Sequence, residues 1–545
     1  MHPSKRRLTL VVVFSAALFA SCASSKTTPS LASESSSESD QTHVQNVILL
    51  IGDGMGPQQI GLLEEYAQHA PASVYGDRPT ALARAMGAGQ VGVALHGPAN
   101  ALVADSACSA SQLASGRPAL SETIGLDVEG EPVQTVLELA KSRGKATGLV
   151  SDTRLTHATP AGFAAHVAHR SMENEIAVQM LQARVDVMLS GGLRHWLPKS
   201  ANQPGSVRDE LRGRLGDALS LSSHRADDRD LLGEAAEAGY DLVFDTHGLD
   251  SAEGDRLLGL FASSGMMNGI EHTRTRDDDE RRQPTLREMT VKALDVLERD
   301  EDGFFLMVEG GQVDWAGHAN DAGWLLHELL KFDQTVDYVL DWVAERDDTL
   351  VVITADHETG GFGFGYTRHD VPKPRQMEGS AFEEAPFQPN WNFGSYEQLD
   401  GLHAQSATFD EMLREFGEGD QQTPEALTAI VNAHSEFDIT VEQARRVLKD
   451  EPNHFRTADH RVLDAETFPA VDDFEAFYVF GEEVRTALIA RAMGRKQNIS
   501  WANGTHTHTP VPVVAIGPKR YTTRVDTMLH LTDVGALLIN VVNAH

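Results

Sequence analysis

Cysteine, basic residues and long hydrophobic runs are all scarce in this chain. Its two cysteines among 545 residues are Cys22 and Cys108, which excludes a disulfide framework and leaves stability to apolar packing. Asp and Glu outnumber Lys and Arg by 80 to 46, and the net charge of −34 opposes contact with nucleic acid, so no nucleic-acid partner is expected. The apolar stretch at residues 8–20 is too short to cross a bilayer.

The N-terminus has the pattern of an export signal. Lys5, Arg6 and Arg7 precede the apolar stretch, and small residues lead into Cys22. This pattern predicts a lipoprotein-type signal peptide over residues 1–21, with a lipid on Cys22 as the membrane contact; the alternative is a plain secretory signal cleaved nearby. Residues 22–44 are rich in Ser, which predicts a disordered tether. We expect an exported protein, in the periplasm or on the outer membrane or cell surface as a lipoprotein.

Strand-like and helix-like segments alternate within residues 45–545, which we interpret as one domain. A helical pattern over residues 286–299 leads into an apolar run at 304–308, and such repeats predict an α/β fold with a mostly parallel central sheet and helices on both faces. The acidic segment from about 364 to 500 breaks the rhythm, which indicates a mixed, partly helical insertion near the active site. The other predicted segments are strands at 47–51, 146–150, 186–192, 350–353 and 511–517 and helices at 132–143, 329–343 and 424–449.

Carboxylates stand at the carboxyl ends of three predicted strands. Asp53, Glu309 and Asp356 each lie at or just after the end of an apolar run, in glycine-containing segments. In open α/β sheets the carboxyl ends of the strands are where ligands bind. Carboxylates gathered at one edge repel one another unless cations neutralise them. The sequence therefore predicts a metalloenzyme with a cluster of divalent ions.

Histidines accompany these carboxylates at spacings that suit metal ligation. Asp314 and His318 are four residues apart, so one helical turn would place both on one face. A carboxylate with an imidazole suits zinc, whereas ligation by oxygen alone suits magnesium. His357 directly follows a strand-end carboxylate and offers a second such pair. His506 and His508 stand two apart before the last strand, and spacing does not choose between them.

Four more residues suit the binding of an anion or of a metal cation. Ser106 begins a helical stretch, where the dipole and free N–H groups favour an alkoxide and an incoming anion; the alternative is a simple helix cap. His157 and Thr159 could ligate a hard cation, directly or through water. Arg170, near the end of a predicted helical stretch, suits bidentate binding of a tetrahedral anion; the alternative is a surface ion pair.

In their order along the chain, these segments resemble the motifs of the alkaline phosphatases. The resemblance implies an alkaline-phosphatase-like fold and hydrolysis of small phosphate monoesters through a phosphoserine on Ser106. It also favours His506 over His508. The six motifs that carry it occupy residues 52–56, 105–107, 157–160, 309–318, 355–361 and 506–511.

The resemblance further implies two zinc ions and one magnesium ion. Arg170 would clamp two oxygens of the phosphate. The implied ligands are Asp314, His318 and His506 for the first zinc, Asp53, Asp356, His357 and deprotonated Ser106 for the second, and Asp53, Thr159 and Glu309 for magnesium.

Two positions depart from the pattern of the family. His157 replaces an aspartate found in some members, and its nitrogen would favour zinc over magnesium at the third site. Trp315 stands where other members carry Lys or His near the phosphate. We expect Trp315 to contact the substrate and to weaken binding of the phosphate product.

Other functions were weighed against this one. A related phosphodiesterase is the nearest alternative activity. A sulfatase is disfavoured, because residues 105–108 lack the Pro and Arg of the sulfatase motif. A catalytically silent surface lipoprotein that binds metal or phosphate is disfavoured, because every catalytic position is filled. The sequence leaves the natural substrate and the assembly open, with a homodimer as one option.

Overall fold

The computed structural model describes residues 43–216, 219–471 and 475–544. The predicted signal peptide, Cys22 and nearly all of the predicted tether lie outside these residues. The strands are β1 (Asn46–Gly52), β2 (Gln90–Leu95), β3 (Ala146–Arg154), β4 (Val187–Gly191), β5 (Asp241–Val243), β6 (Leu257–Leu260), β7 (Phe304–Gly310), β8 (Thr349–Thr354), β9 (Glu358–Thr359), β10 (Gly363–Phe364), β11 (Asp450–Pro452), β12 (Thr467–Pro469), β13 (Ile499–Ser500), β14 (His506–Thr507), β15 (Val511–Ile516) and β16 (Met528–His530).

The helices lie between these strands along most of the described chain. They are α1 (Pro57–His69), α2 (Ala81–Ala88), α3 (Ser106–Ser115), α4 (Val136–Ser142), α5 (Ala158–Ala164), α6 (Glu173–Ala183), α7 (Ser206–Leu215), α8 (Leu231–Glu237), α9 (Thr246–Ser251), α10 (Gly269–Thr275), α11 (Leu286–Leu297), α12 (Gln312–His318), α13 (Ala322–Val343), α14 (Glu397–His403), α15 (Phe409–Glu418), α16 (Pro424–His434), α17 (Val441–Val447), α18 (Gly481–Gln497), α19 (Lys519–Thr522) and α20 (Leu531–Asn543).

A ten-stranded, mostly parallel sheet forms the centre of the protein, as predicted. Its order is β16-β2-β15-β8-β1-β7-β3-β4-β6-β5. β1 is parallel to both β7 and β8, with Ile51 opposite Glu309 and Thr354, while β15 is antiparallel to its two neighbours. Every residue of β1, β7 and β8 is buried, which explains their continuous apolar sequences. The register brings the carboxyl ends of these strands to the same edge of the sheet.

Helices cover both faces of the sheet, and two aromatic contacts on β7 demonstrate it. Phe305 stacks on Phe163 of α5, with ring centroids 5.9 Å apart. Its neighbour Phe304 meets Trp342 of α13 edge to face, at 5.8 Å. Successive residues of a strand point to opposite faces, so α5 and α13 lie on opposite sides of the sheet. Buried apolar side chains from these layers belong to one large hydrophobic core.

Three helices differ from their predicted bounds, and capping side chains explain each difference. α4 begins later than predicted, because Thr135 and Glu138 form a capping box at its start. α13 begins earlier, because Asp321 accepts a hydrogen bond from the backbone of its first turn. The predicted helix over 424–449 is two helices, α16 and α17, because Thr440 caps a new one.

The two ends of the segment from 365 to 498 lie next to each other. β10 and β13 pair antiparallel there, with Gly363 opposite Ser500. Helices of this segment contribute Phe409 and Leu427 to the main core. Residues near the start of α18 belong to a separate small apolar cluster of Val471, Tyr478, Val484 and Ala487.

Among residues 43–216, 219–471 and 475–544, no helix is both long enough and apolar enough to span a membrane.

Candidate functional site

The first group of potential metal ligands joins α12 to the segment before β15. Asp314 and His318 lie on one turn of α12, with Asp314 Oδ1 3.4 Å from His318 Nε2. His506 Nε2 lies 3.5 Å from the same oxygen and 3.1 Å from His318 Nε2. The Nδ1 atoms of the two rings face the backbone oxygens of Gly504 and Ala104, each at 2.8 Å. These outer contacts turn both Nε2 atoms toward one point, as in metal sites whose histidines are oriented from behind.

The second group lies where β1 and β8 end. His357 Nε2 is 3.2 Å from Asp356 Oδ2 and 3.5 Å from Asp53 Oδ1, and all three side chains are fully buried. Gly54, which follows Asp53, has φ +76°, and a Cβ there would lie 2.7 Å from the Cα of Asp314. A glycine is therefore needed for the first and second groups to lie side by side.

The third group contains buried polar atoms that lack partners. Asp53, His157 and Glu309 place one ligand atom each within 4.8 Å of one another. Both oxygens of Asp53, Oε1 of Glu309, Nδ1 of His157 and Oγ1 of Thr159 are buried and accept or donate no hydrogen bond among the described residues. Buried polar atoms normally have hydrogen-bond partners. Several oxygen and nitrogen atoms that converge without such partners therefore fit the ligands of a bound cation.

Backbone and hydroxyl groups hold the carboxylates of these groups in place. Glu309 Oε2 accepts hydrogen bonds from Ser151 and Thr153, the latter at 3.2 Å. Asp314 Oδ1 accepts one from Thr359 Oγ1 at 2.5 Å. These contacts leave the opposite lone pairs directed into the site.

The raised pKa values of the buried carboxylates indicate where the site needs positive charge. Burial raises the pKa of Glu309 to about 7 and that of Asp356 to about 6. Burial, reinforced by Asp356, Asp314 and Glu309, raises the pKa of Asp53 well above its ordinary value. Divalent cations would oppose all of these shifts by favouring the ionised carboxylates.

Two histidines of the site are held neutral. Burial lowers the pKa of His157 well below its ordinary value, and the nearby charges of Arg154 and Arg170 lower it further. Burial and His506 act in the same way on the pKa of His357. A neutral imidazole keeps a lone pair free for a metal ion.

Asp314 and His506 behave instead as an ion pair. Burial alone would raise the pKa of Asp314, but His318 and His506 hold it well below its ordinary value. Burial would lower the pKa of His506, but the hydrogen bond with Asp314 raises it. Both shifts favour an ionised Asp314 and a protonated His506, and a bound metal ion would supply the same positive charge.

Ser106 stands beside the second group at the start of α3. Its Oγ lies 3.2 Å from His357 Nε2, and the residue is almost completely buried. The side chain of the preceding Asp105 caps the helix by accepting hydrogen bonds from the backbone N–H groups of Ala107 and Cys108. The capping role belongs to Asp105, so the hydroxyl of Ser106 remains directed at the metal-ligand groups.

Arg170 lies in the turn between α5 and α6, so the prediction that it stands near the end of a helix is wrong. The helix ends earlier, at Ala164. Arg170 Nη1 donates to Asp105 Oδ2 at 3.1 Å, and Nη2 lies 3.2 Å from His157 Nε2. Asp105 therefore links the start of α3 to the guanidinium, which is held beside Ser106 by an ion pair.

A cavity of about 560 Å³ opens over these side chains. Ser106, Arg170 and Trp315 all line it. The ring of Trp315 stands edge to face with His157, with centroids 6.1 Å apart. His508, the alternative to His506, lies outside the three groups, and its ring centroid is 5.1 Å from that of His96.

Several residues of the site were not singled out from the sequence. Asp105 could have been recognised, because an Asp before a helix start is a strong capping signal. Arg461, Phe480 and Glu483 also line the cavity. They come from the irregular segment after β10 and carry no motif, so only the folded chain reveals them.

Comparisons with known proteins agree with this geometry. The family described as alkaline phosphatase matches residues 44–543. The chain is 34% identical over 371 residues to alkaline phosphatase 3 of Bacillus subtilis, covering 67% of this chain and 72% of that protein. It is 31% identical over 358 residues to the alkaline phosphatase of Escherichia coli, covering 57% and 70%.

Solved structures extend the likeness to nearly the whole chain. The alkaline phosphatase of Thermus thermophilus superposes with a TM-score of 0.70 at 25% identity, covering 92% of this chain and 91% of that one. A cold-active enzyme from a Shewanella species gives 0.65 at 24% identity, covering 91% and 99%, which supports the fold. The chain therefore belongs to the alkaline phosphatase family of metal-dependent hydrolases of phosphate monoesters.

Proposed function

We propose that Ser106 is the nucleophile of this hydrolase and that phosphate passes through a phosphoserine on it. The observation that carries the proposal is the position of Ser106 Oγ, 3.2 Å from His357 Nε2 and next to three converging groups of ligands. Ser106 is the first residue of α3, where N–H groups and the helix dipole favour negative charge. The hydroxyl oxygen would attack phosphorus, the alcohol would leave on the opposite side, and water would then cleave the phosphoserine.

We also propose two zinc ions and one magnesium ion as the cofactors. Bound metal ions would lower the pKa of coordinated hydroxyl groups and neutralise charge on the phosphate. Nitrogen-containing groups suit zinc and the oxygen-rich group suits magnesium, although His157 Nδ1, 4.0 Å from Glu309 Oε1, favours zinc at the third site. The proposed ligands are Asp314, His318 and His506; Asp53, Asp356, His357 and Ser106; and Asp53, Thr159 and Glu309 with His157 nearby.

Arg170 would bind two oxygens of the phosphate. Its ion pair with Asp105 holds the guanidinium at the cavity that Ser106 also lines. Burial would lower the pKa of Arg170, but Asp105 raises it above its ordinary value, so the group stays charged. A planar guanidinium matches a tetrahedral anion with two parallel hydrogen bonds. Trp315, on the wall of the same cavity, would contact the substrate.

The proposed setting is the exported one that the N-terminal sequence predicts. A signal peptide over residues 1–21, a lipid on Cys22 and a short tether would hold the enzyme in the periplasm or at an outer surface. Small phosphate monoesters would reach the cavity by diffusion. Labelling with a radioactive fatty acid, compared between the wild type and Cys22→Ala, tests the anchor; equal labelling would contradict it.

Hydrolysis of 4-nitrophenyl phosphate by the wild type and by Ser106→Ala tests the nucleophile. We expect kcat to fall by about 10³-fold or more in Ser106→Ala, with unchanged metal content by elemental analysis. Ser115→Ala, at the other end of α3, is the matched control and should keep full activity. Parallel assays with bis(4-nitrophenyl) phosphate and 4-nitrophenyl sulfate separate a diesterase or sulfatase. Equal rates in the wild type and Ser106→Ala would refute the assignment.

A further inference from the structure

Glu483, at the start of α18, presents an unused carboxylate beside the first ligand group. Its Oε2 is 3.7 Å from His318 Nδ1, and 32% of the side chain is exposed. That oxygen is nevertheless buried and has no hydrogen-bond partner among the residues that the structure describes. His318 Nδ1 already faces the backbone oxygen of Gly504 at 2.8 Å. Glu483 is therefore not required to orient His318, and its partly exposed side chain lines the cavity over Ser106.

Two cavities meet at Glu483. Trp315, Phe480 and Glu483 line both the cavity over Ser106, of about 560 Å³, and an adjoining one of about 970 Å³. The two aromatic rings and the carboxylate thus stand between the catalytic side chains and a second space that is large enough for the organic part of a substrate.

The adjoining cavity has a surplus of negative charge. Asp410 and Glu482 line it together with Glu483, and within the described ranges none of the three forms an ion pair within 4.0 Å of a Lys or Arg, although the charge of Arg414 acts on Asp410. Of its two arginines, Arg485 donates to Asp450 at 2.7 Å and Arg414 lies 4.0 Å from Glu411. Arg461 lines the cavity over Ser106 and not the adjoining one. A positively charged group would be favoured in the adjoining cavity over a neutral one.

If the proposed function holds, the leaving alcohol departs toward this second cavity. Attack by Ser106 in line with the leaving group places the alcohol on the side away from the serine. Asp314, His318 and His506 line the same cavity as Ser106, and Glu483 Oε2 lies 3.7 Å from His318 Nδ1. An alcohol that leaves past His318 would therefore reach the part of the wall formed by Trp315, Phe480 and Glu483. Aromatic faces and a carboxylate together are the usual surroundings of an organic ammonium group.

We propose that this enzyme prefers phosphate monoesters of alcohols that carry an ammonium group, and that Glu483 with the rings of Trp315 and Phe480 binds this group. The selection acts on the leaving alcohol and leaves the bond-making and bond-breaking steps unchanged. Glu483 is thus a specificity residue supplied by the segment that follows β10.

The test compares choline phosphate with 3,3-dimethylbutyl phosphate, which has the same shape without the charge. We expect the wild type to hydrolyse choline phosphate with a kcat/KM about tenfold higher. Glu483→Gln should remove this preference while retaining hydrolysis of 4-nitrophenyl phosphate. Glu425→Gln on α16 makes the same change of charge at an exposed position outside both cavities and should keep the preference.

Four outcomes are decisive. Equal kcat/KM values for the two esters in the wild type would overturn the proposal. An equal loss with both esters in Glu483→Gln, with reduced metal content, would overturn it in favour of a structural role beside His318. Failure of the wild type to hydrolyse 4-nitrophenyl phosphate would instead count against the proposed function. Calorimetric binding of the two esters to Ser106→Ala gives the same comparison without turnover, and equal affinities there would also overturn the proposal.

Discussion

The edge of the sheet at the carboxyl ends of β1, β7 and β8 and the wall of the cavity over Ser106 come from different kinds of structure. At the edge, buried strands position Asp53, Glu309 and Asp356, and their register leaves little freedom. The wall, with Phe480 and Glu483, comes from the start of α18 in the mixed segment between β10 and β13. In the proposed mechanism the edge carries the chemistry that every phosphate monoester needs, whereas the wall would meet only the alcohol. Changes at the edge should therefore reduce activity with all substrates, and changes at the wall should alter the choice among them.

Removal of metal ions should have the largest effect. Dialysis against a chelator leaves the carboxylates of the edge without counter-charge, so we expect activity to fall by about 10³-fold or more for aryl and alkyl phosphates alike. Zinc with magnesium should restore it, as measured by turnover of 4-nitrophenyl phosphate against metal content. Full activity in protein shown to be metal-free would contradict the proposal that the edge acts through bound metal ions.

Arg170→Ala should be next in size. Removing the guanidinium takes away its hydrogen bonds to the phosphate, and kcat/KM should fall by about 10²-fold for every ester. Arg229→Ala removes a surface ion pair with Glu234 and serves as the control. A loss confined to one alcohol would place Arg170 with the wall rather than the edge.

The metal-free protein should become less stable as the pH rises from about 4 to 7. The raised pKa values of Asp53, Asp356 (about 6) and Glu309 (about 7) mean that the folded state keeps protons that the unfolded chain has already released. The free energy of unfolding therefore falls with pH across this window and levels off above it. Urea unfolding at several pH values measures the slope.

Bound zinc and magnesium should abolish this fall in stability, because they favour the ionised carboxylates. Glu309→Gln, which cannot ionise at this position, should reduce the fall in metal-free protein. An identical slope with and without metal ions would contradict the assignment of these carboxylates to the metal sites.

Trp315→Lys should have the smallest effect. A new ammonium group near the phosphate should lower the inhibition constant of inorganic phosphate by about fivefold, since an added charge contact contributes roughly 1 kcal/mol. Trp391→Lys makes the same change on the exposed surface and should leave the constant unchanged. If phosphate binds no more tightly to Trp315→Lys, the tryptophan is not what weakens product binding.

The fold and the edge of the site follow closely from the sequence, because they depend on local signals. Apolar runs predicted six of the ten strands of the central sheet and missed β2, β5, β6 and β16. The spacing of Asp314 and His318 predicted a shared helical turn, which α12 provides. The helix boundaries were less accurate. Asp321 extends α13 toward its N-terminus through a side-chain cap that periodicity of apolar residues does not detect.

The wall could not have been predicted in the same way. Glu483 approaches His318 through a contact between residues far apart in sequence, and nothing around it has the spacing of a motif. The role of Asp105 as both a helix cap and a partner of Arg170 also needed the folded chain, because the turn after α5 sets the position of the arginine. Long-range packing decides such contacts, and local propensity does not.

The pairing of β10 with β13 has a consequence for how this enzyme can diverge. Because the two ends of the intervening segment are neighbours, its exposed loops can lengthen without moving the strands whose ends carry the proposed ligands. Doubling a flexible loop adds only about 0.6 kcal/mol to the cost of closing it. Evolution can therefore rebuild this side of the enzyme for new substrates while the catalytic chemistry stays as it is.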